Sequence, residues 1–117
     1  MKEPGGERES PAIDFAKGNG LAPVIVQDHR SRAVLMLGYT NREALQLTRS
    51  TGRLHLWSRS RSEIWLKGSK SGNYLLVRRL SLDCDGDTVL AEVEPATGET
   101  PVCHTGAESC FIHDLGG

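Results

Sequence analysis

Three cysteines and three closely spaced aspartates are the residues of this 117-residue chain best suited to chemistry. Cys84 lies inside the acidic run Asp83-Cys84-Asp85-Gly86-Asp87, whereas Cys103 and Cys110 stand near the end of the sequence. Thiolates select zinc-like ions and carboxylates suit magnesium, so the two residue types indicate two different metals. Three thiolates are one ligand short of a closed structural zinc site, and catalytic zinc sites keep that fourth position for water. The ligand count therefore favours a catalytic role.

The spacing of the aspartates indicates how one segment would serve both metals. Asp83, Asp85 and Asp87 are two residues apart, so in an extended segment all three carboxylates project to one side and Cys84 projects to the other. A calcium-binding EF-hand loop shares this spacing, but Thr88 stands where its sharp turn needs glycine, and a strand-like pattern follows. Two simpler interpretations stay open, namely a solvated acidic turn without metal and buried cysteines without a ligand.

Length and composition predict one small domain with few macromolecular partners. The net charge is −1, which lacks the basic excess of a nucleic-acid-binding domain, and no run of about eighteen apolar residues could cross a membrane. No apolar run of signal-peptide length occurs over 1–20. An odd number of cysteines argues against a disulfide framework. We therefore expect a cytoplasmic protein with no nucleic acid or membrane partner.

The polar start of the chain predicts a flexible N-terminal arm over 1–14, followed by a single domain over 15–117. Phe15 is the largest apolar residue of the stretch that ends near Gly20, and polar residues and glycine dominate the rest, so we expect this stretch to pack loosely. A β-hairpin is predicted over 22–27 and 32–38. Thr40 and Glu43 have capping-box spacing and Gly52 stands where a helix would end, which predicts a helix over 41–50.

Strands are predicted after the helix, over 53–58, 63–67, 73–82 and 87–94. In the last of these, Val89, Ala91 and Val93 alternate with other residues and give one face of small apolar side chains. The stretch 95–113 is too rich in Gly, Pro, Thr and Cys for regular structure, and such a long loop is usually functional or metal-bound. The predicted fold class is α+β and mainly antiparallel, a small twisted sheet or partial barrel with one principal helix.

Five sequence blocks resemble the phosphoribosyl-AMP cyclohydrolase family of histidine biosynthesis. They are GLAPVIVQD (20–28), WSRSR (57–61), WLKGSKSGN (65–73), DCDGD (83–87) and CHTGAESCF (103–111). The resemblance implies an intertwined homodimer that uses zinc and magnesium to hydrolyse the N1–C6 bond of the adenine ring of phosphoribosyl-AMP. It also implies that each zinc takes Cys84 from one subunit and Cys103 and Cys110 from the other. Because the chain ends at Gly117, it resembles the monofunctional form.

The reaction agrees with the residue types. Opening an adenine ring needs hydroxide at C6, and bound zinc lowers the pKa of its water to about 7. His104 is the candidate for proton transfer to N1, because the ordinary pKa of histidine lies near neutrality. In the family this histidine is implicated in catalysis, although a role as zinc ligand or supporting residue stays open. We expect His29, His55 and His113 to be ordinary polar residues.

A substrate with two phosphoribosyl groups needs cationic and N–H donors for its phosphates. Arginine offers a planar fork, lysine a point charge and a Gly/Ser turn exposed N–H groups. Trp57 and Trp65 would stack on the purine or fill the core, and we expect at least one of them in the core. The candidates for phosphate and substrate contacts are Arg59, Arg61, Lys67, Ser69, Ser71, Gly72 and Asn73. A solvated charged surface is the alternative for each of them.

Two other functional classes fit the sequence less well. A zinc-dependent purine deaminase would need His-x-Glu and Pro-Cys-x-x-Cys signatures, which are absent from the sequence. A non-catalytic zinc module would need a fourth protein ligand and a paired Cys-x-x-Cys spacing. Both are ranked behind the cyclohydrolase.

Overall fold

The computed structural model describes residues 12–70, 72–97 and 107–117. Within these ranges the chain has the predicted α+β fold, with one α-helix and mostly antiparallel strands. The elements are a 3-10 helix η1 (Phe15–Gly18), β1 (Ala22–Asp28), β2 (Val34–Thr40), α1 (Arg42–Thr51), β3 (His55–Ser58), β4 (Glu63–Leu66), β5 (Leu75–Leu82) and β6 (Val89–Pro95).

The strands form an open four-stranded sheet and a separate two-stranded hairpin rather than a closed barrel. The sheet order is β2-β1-β6-β5, and β3 pairs with β4. The predicted hairpin of β1 and β2 is confirmed, but β1 and β6 run parallel, with Val24 opposite Val89. This parallel pair was not predicted, because β6 returns beside β1 only after the chain has formed α1 and four other strands. The alternation of residues within a strand carries no information about its partner.

The core lies on the face where the two central strands turn their small apolar residues inward. Val89, Ala91 and Val93 are at most 2% exposed, which confirms the face predicted from their alternation. Val26 of β1 and Leu56 of β3 are fully buried with them. Burying a side chain of this size is worth about 1.5 to 3 kcal/mol, so these strands supply much of the stability of the domain.

Helix α1 confirms the predicted helix, but its N-terminal cap differs from the prediction. The side chain of Asn41 accepts a hydrogen bond from the backbone N–H of Ala44 at 2.8 Å, so Asn41 is the N-cap in place of Thr40. Thr40 is buried and its hydroxyl donates to the carbonyl of Asn41. The helix ends at Thr51, and Gly52 is its C-cap, as its position in the sequence predicts. In the described part of the chain, no helix is long and apolar enough to cross a membrane.

The segment before β1 is anchored to the domain, so the expectation of loose packing is wrong for it. Phe15 is only 9% exposed, and Ile13 packs against the core. The backbone N–H of Asp14 donates to the carbonyl of Gly86 at 2.7 Å. These contacts attach η1 to the acidic turn between β5 and β6. Residues 1–11 of the predicted arm lie outside the described residues.

The end of the chain lies along the edge strand β2 without regular secondary structure of its own. The Ser109 hydroxyl donates to the carbonyl of Val34 at 2.7 Å, and the backbone N–H of Cys110 donates to the carbonyl of Leu35 at 2.7 Å. The irregular structure predicted for the closing stretch is confirmed over 107–113. The part of that stretch over 98–106 is outside the described ranges.

Candidate metal centre and substrate site

The three aspartates converge at a tight turn that joins β5 to β6. Asp83, Asp85 and Asp87 each place one carboxylate oxygen within 4.8 Å of the others. The segment is a turn rather than the extended strand end expected from the two-residue spacing. The three predicted carboxylates therefore do come together. The cause is the turn conformation of the segment and not the alternation of side chains along an extended strand.

Asp83 organises this turn through its own backbone and side chain. One of its carboxylate oxygens accepts hydrogen bonds from the backbone N–H groups of Asp87 at 3.1 Å and Thr88 at 3.2 Å. Its N–H donates to the carbonyl of Thr88 at 3.0 Å. Desolvation raises the pKa of the Asp83 carboxyl, but the N–H donors outweigh this effect and hold the pKa below its ordinary value. The carboxylate is thus kept ionised by the turn that it shapes.

Asp87 contacts a cation from a distant part of the sequence. The Nζ atom of Lys17 lies 3.4 Å from Oδ2 of Asp87, and the hydroxyl of Thr88 donates to Oδ1 at 3.3 Å. The hydrogen bond with Asp87, aided by the charges of Asp87 and Asp85, raises the pKa of Lys17. Sequence reasoning missed Lys17, since no pattern in the chain links η1 to a turn seventy residues later.

The donor set of the turn fits a hard divalent cation. Three carboxylates within 4.8 Å of one another repel each other, and one lysine ammonium offsets only part of that charge. Carboxylate oxygens are the ligands that magnesium and calcium prefer. The arrangement can therefore hold one hard cation at the surface, beside the exposed thiol of Cys84.

The two described cysteines lie far apart within one chain. Cys84 is in the acidic turn, whereas Cys110 is held beside Leu35 on the edge strand β2. Both cysteines are exposed. Thiolate is a good ligand for zinc, so the residue types fit that metal, but one chain does not bring these two together. Cys103, His104 and Ser71 lie outside the described residues.

The basic and polar candidates form two groups at opposite ends of the β3–β4 hairpin. Arg59 and Arg61 lie at its turn, where the guanidinium of Arg59 is 3.9 Å from the centre of the Tyr39 ring. The second group begins with Lys67, just after β4. A four-residue strand pair is about 13 Å long, so one phosphate does not contact both groups. The candidates therefore suit two separate phosphates.

The described residues of the loop 67–73, which do not include Ser71, form hydrogen bonds within the loop and with its neighbours. Ser69 donates from its N–H to the carbonyl of Leu66 at 3.0 Å, and Gly72 donates to the carbonyl of Gly68 at 2.7 Å. Asn73 accepts a hydrogen bond from the hydroxyl of Thr97 at 3.0 Å. The loop is thereby attached to the residues that follow β6, at the end of the sheet away from the acidic turn.

Neither tryptophan belongs to the buried core, so the expectation that at least one would fill it is wrong. Trp57 is half-buried, and Trp65 is 38% exposed. The ammonium of Lys67 lies 5.5 Å from the centre of the Trp65 ring. The indole of Trp65 is thus partly exposed, with the ammonium of Lys67 over its ring.

The ring of His55 has a hydrogen-bond partner, whereas Nδ1 of His29 is buried without one among the residues that the structure describes. The ring of His55 is hydrogen-bonded to the carbonyl of Arg53 at 2.8 Å, and His113 is exposed. His29 lies 3.9 Å from the buried carboxylate of Glu92, which pairs with Arg32 at 2.8 Å. This three-residue cluster was not predicted, because Glu92 occupies the polar position of an alternating strand.

Comparison with known proteins places the chain among enzymes of one family. A sequence model described as phosphoribosyl-AMP cyclohydrolase matches residues 36–112. A phosphoribosyl-AMP cyclohydrolase of Streptococcus sanguinis (strain SK36) is 52% identical over 103 residues, which is 88% of each chain. One of Cenarchaeum symbiosum (strain A) is 50% identical over 109 residues, 93% of this chain and 98% of the relative. The matched region contains the acidic turn and the Cys110 segment. The chain therefore belongs to the phosphoribosyl-AMP cyclohydrolase family.

Proposed function

We propose that this protein hydrolyses the N1–C6 bond of the adenine ring of phosphoribosyl-AMP, the ring-opening step of histidine biosynthesis. Relatives named phosphoribosyl-AMP cyclohydrolase are 50% to 52% identical to this chain over 88% to 93% of its length. The observation that supports the proposal most strongly is the convergence of Asp83, Asp85 and Asp87 next to Cys84, because it puts hard and soft metal ligands in one turn.

Two metals are part of the proposal. Asp83, Asp85 and Asp87 would hold magnesium, since their oxygens are hard donors at close range. Cys84, Cys103 and Cys110 would hold zinc, since thiolates are its preferred ligands. When bound, zinc lowers the pKa of a water and so supplies a nucleophile at neutral pH.

The chain's own residues would bind the substrate and move protons. His104 would deliver a proton to N1 as the bond to C6 breaks, acting as a general acid, and the near-neutral ordinary pKa of histidine suits that task. Arg61 would bind one phosphate and the 67–73 loop with Lys67 the other, at the two ends of the β3–β4 hairpin. The half-exposed Trp65 would offer its face to the purine.

The positions of the cysteines support a homodimer with shared sites. The acidic turn lies at the joined end of β5 and β6, whereas Cys110 lies beside Leu35 at the opposite edge of the sheet. A second chain, facing the first, would bring its own Cys110 to the Cys84 of the first. A cytoplasmic location, expected because no apolar run of signal-peptide length occurs over 1–20, also stays a prediction.

The proposal is tested by incubating the purified protein with phosphoribosyl-AMP, zinc and magnesium and following ultraviolet absorbance. The expected result is the ring-opened product without release of ammonia. No product under these conditions would refute the assignment. Ammonia release would replace it with deamination, the alternative chemistry at the same ring carbon.

A further inference from the structure

Lys17 contacts the acidic turn from outside the strands that form it. Its Nζ atom lies 3.4 Å from Oδ2 of Asp87, and the two side chains are 50% and 31% exposed. The sequence separates them by seventy residues. The contact is therefore made by the tertiary fold, and it leaves the ammonium at one oxygen of the proposed magnesium site.

The backbone on both sides of Lys17 is fixed, so the ammonium is not delivered by a loose segment. Phe15 is buried, and the N–H of Asp14 donates to the carbonyl of Gly86 in the acidic turn itself. The Asp14 carboxylate accepts a bond from the N–H of Lys17 at 3.4 Å, and Gly20 donates to the carbonyl of Phe15 at 2.8 Å. Helix η1 and the turn thus form one unit.

We propose that Lys17 is a built-in counter-ion that occupies Asp87 in the metal-free turn and competes with magnesium for this carboxylate. The inference rests on the proposed magnesium site. The negative charge of three carboxylates exceeds the single positive charge of the Lys17 ammonium. The ammonium therefore stabilises the turn without neutralising it. Magnesium brings two charges and coordinates carboxylate oxygens directly, so in this proposal it takes Oδ2 of Asp87 from Lys17. Lys17 thereby sets how tightly magnesium binds.

The test is a calorimetric titration of magnesium into the zinc-containing protein as purified. We expect Lys17→Gln to bind magnesium about three- to tenfold more tightly than the wild type, because a competing charge is gone. Lys17→Arg should bind as the wild type does. The control is Arg78→Gln, which removes a matched ion pair with Glu94, 2.9 Å apart and 52% and 26% exposed, away from the turn. Its magnesium affinity should not change.

Unchanged or weaker binding by Lys17→Gln would overturn the inference, as would an equal gain in Arg78→Gln. A second measurement is a crystal structure of the wild type with magnesium, in which Nζ of Lys17 should have left Asp87. A retained contact beside a bound ion would overturn the inference. The proposed magnesium site fails separately, if the wild type binds no magnesium or if Asp85→Asn binds it equally well.

Discussion

Cys84 and Cys110 lie at diagonally opposite corners of the same four-stranded sheet. Cys84 is in the turn between β5 and β6, whereas Cys110 is hydrogen-bonded beside Leu35 on the other edge strand. Strand spacings alone separate them by about 10 Å across the sheet and about 10 Å along it. Two thiolates on one zinc lie about 4 Å apart. A single chain therefore does not supply both to one ion.

This separation predicts that inactive variants complement each other in a mixed dimer. Cys84→Ala and Cys110→Ala chains should each be inactive as homodimers, because every shared site lacks one thiolate. In a heterodimer of the two, both losses fall on one site and the other site is intact. We expect about half of the wild-type rate per dimer, measured on heterodimers purified with two different affinity tags.

The matched control is a heterodimer of Cys84→Ala with Asp85→Asn. Both residues lie in the acidic turn, and each shared site takes that turn from one chain. In this heterodimer one site therefore carries Cys84→Ala and the other Asp85→Asn, so no activity should return. An inactive Cys84→Ala/Cys110→Ala heterodimer would contradict the shared site. So would equal recovery in the control pair.

Separate metal sites predict that the acidic turn can be disabled without loss of zinc. Asp85→Asn removes one hard ligand and should lower kcat by about 100-fold or more. The variant keeps all three cysteines, although Sγ of Cys84 lies 3.9 Å from Oδ1 of Asp85. Metal analysis of the purified protein by mass spectrometry should therefore still find about one zinc per chain. Asp114→Asn, an exposed change near the end of the chain, is the control and should keep both activity and zinc. Zinc lost together with activity in Asp85→Asn would contradict two independent sites.

The acidic turn illustrates how far the sequence could predict this site. The residue types and their close spacing singled out Asp83, Asp85 and Asp87, and the structure brings these three carboxylates together. Their geometry was predicted wrongly, because a period of two describes a strand, and here the N–H groups of Asp87 and Thr88 fold back onto Asp83. Side-chain bonds within a turn compete with the extended conformation, and residue spacing does not show which one prevails.

Long-range contacts account for most of the other differences. Alternation predicted the inward face of β6, but the parallel pairing with β1 depends on the path of the whole chain. Phe15 was expected in a loose arm because one apolar residue is a weak signal. It is buried, and the backbone N–H of the neighbouring Asp14 donates to the carbonyl of Gly86 in the acidic turn. Local sequence patterns predict helices and strands well. A tertiary contact between residues that are seventy positions apart leaves no local sequence pattern.

Replacement by alanine should lower the free energy of unfolding by different amounts at two glycines of the 67–73 loop. Gly68 has φ +93, and an added Cβ would lie 2.7 Å from the backbone nitrogen of Tyr74. Gly72 has φ +80 but nothing within 4 Å of that position. Gly68→Ala should cost about 3 kcal/mol or more, and Gly72→Ala about 1 kcal/mol, in free energy of unfolding by urea. Equal costs would mean that the loop does not approach Tyr74 as closely as described.

Asp28, in the β1–β2 turn, contributes stability that should be lost in acid, and Asp28→Asn should weaken this pH dependence. A carboxylate oxygen of Asp28 accepts hydrogen bonds from the N–H groups of Ser31 at 2.9 Å and Arg30 at 2.8 Å. The bond from Ser31, more than any other contact, lowers the pKa of Asp28 below 3.8. The unfolded chain therefore binds the proton more readily, so this stabilisation is complete above about pH 5 and is lost as the pH falls through the folded-state pKa.

Asp28→Asn keeps the acceptor oxygen, so its unfolding free energy should fall less steeply below pH 5 than that of the wild type. Asp28→Ala should cost about 1 kcal/mol at neutral pH. Parallel stability curves for Asp28→Asn and the wild type between pH 5 and about pH 2 would contradict this assignment.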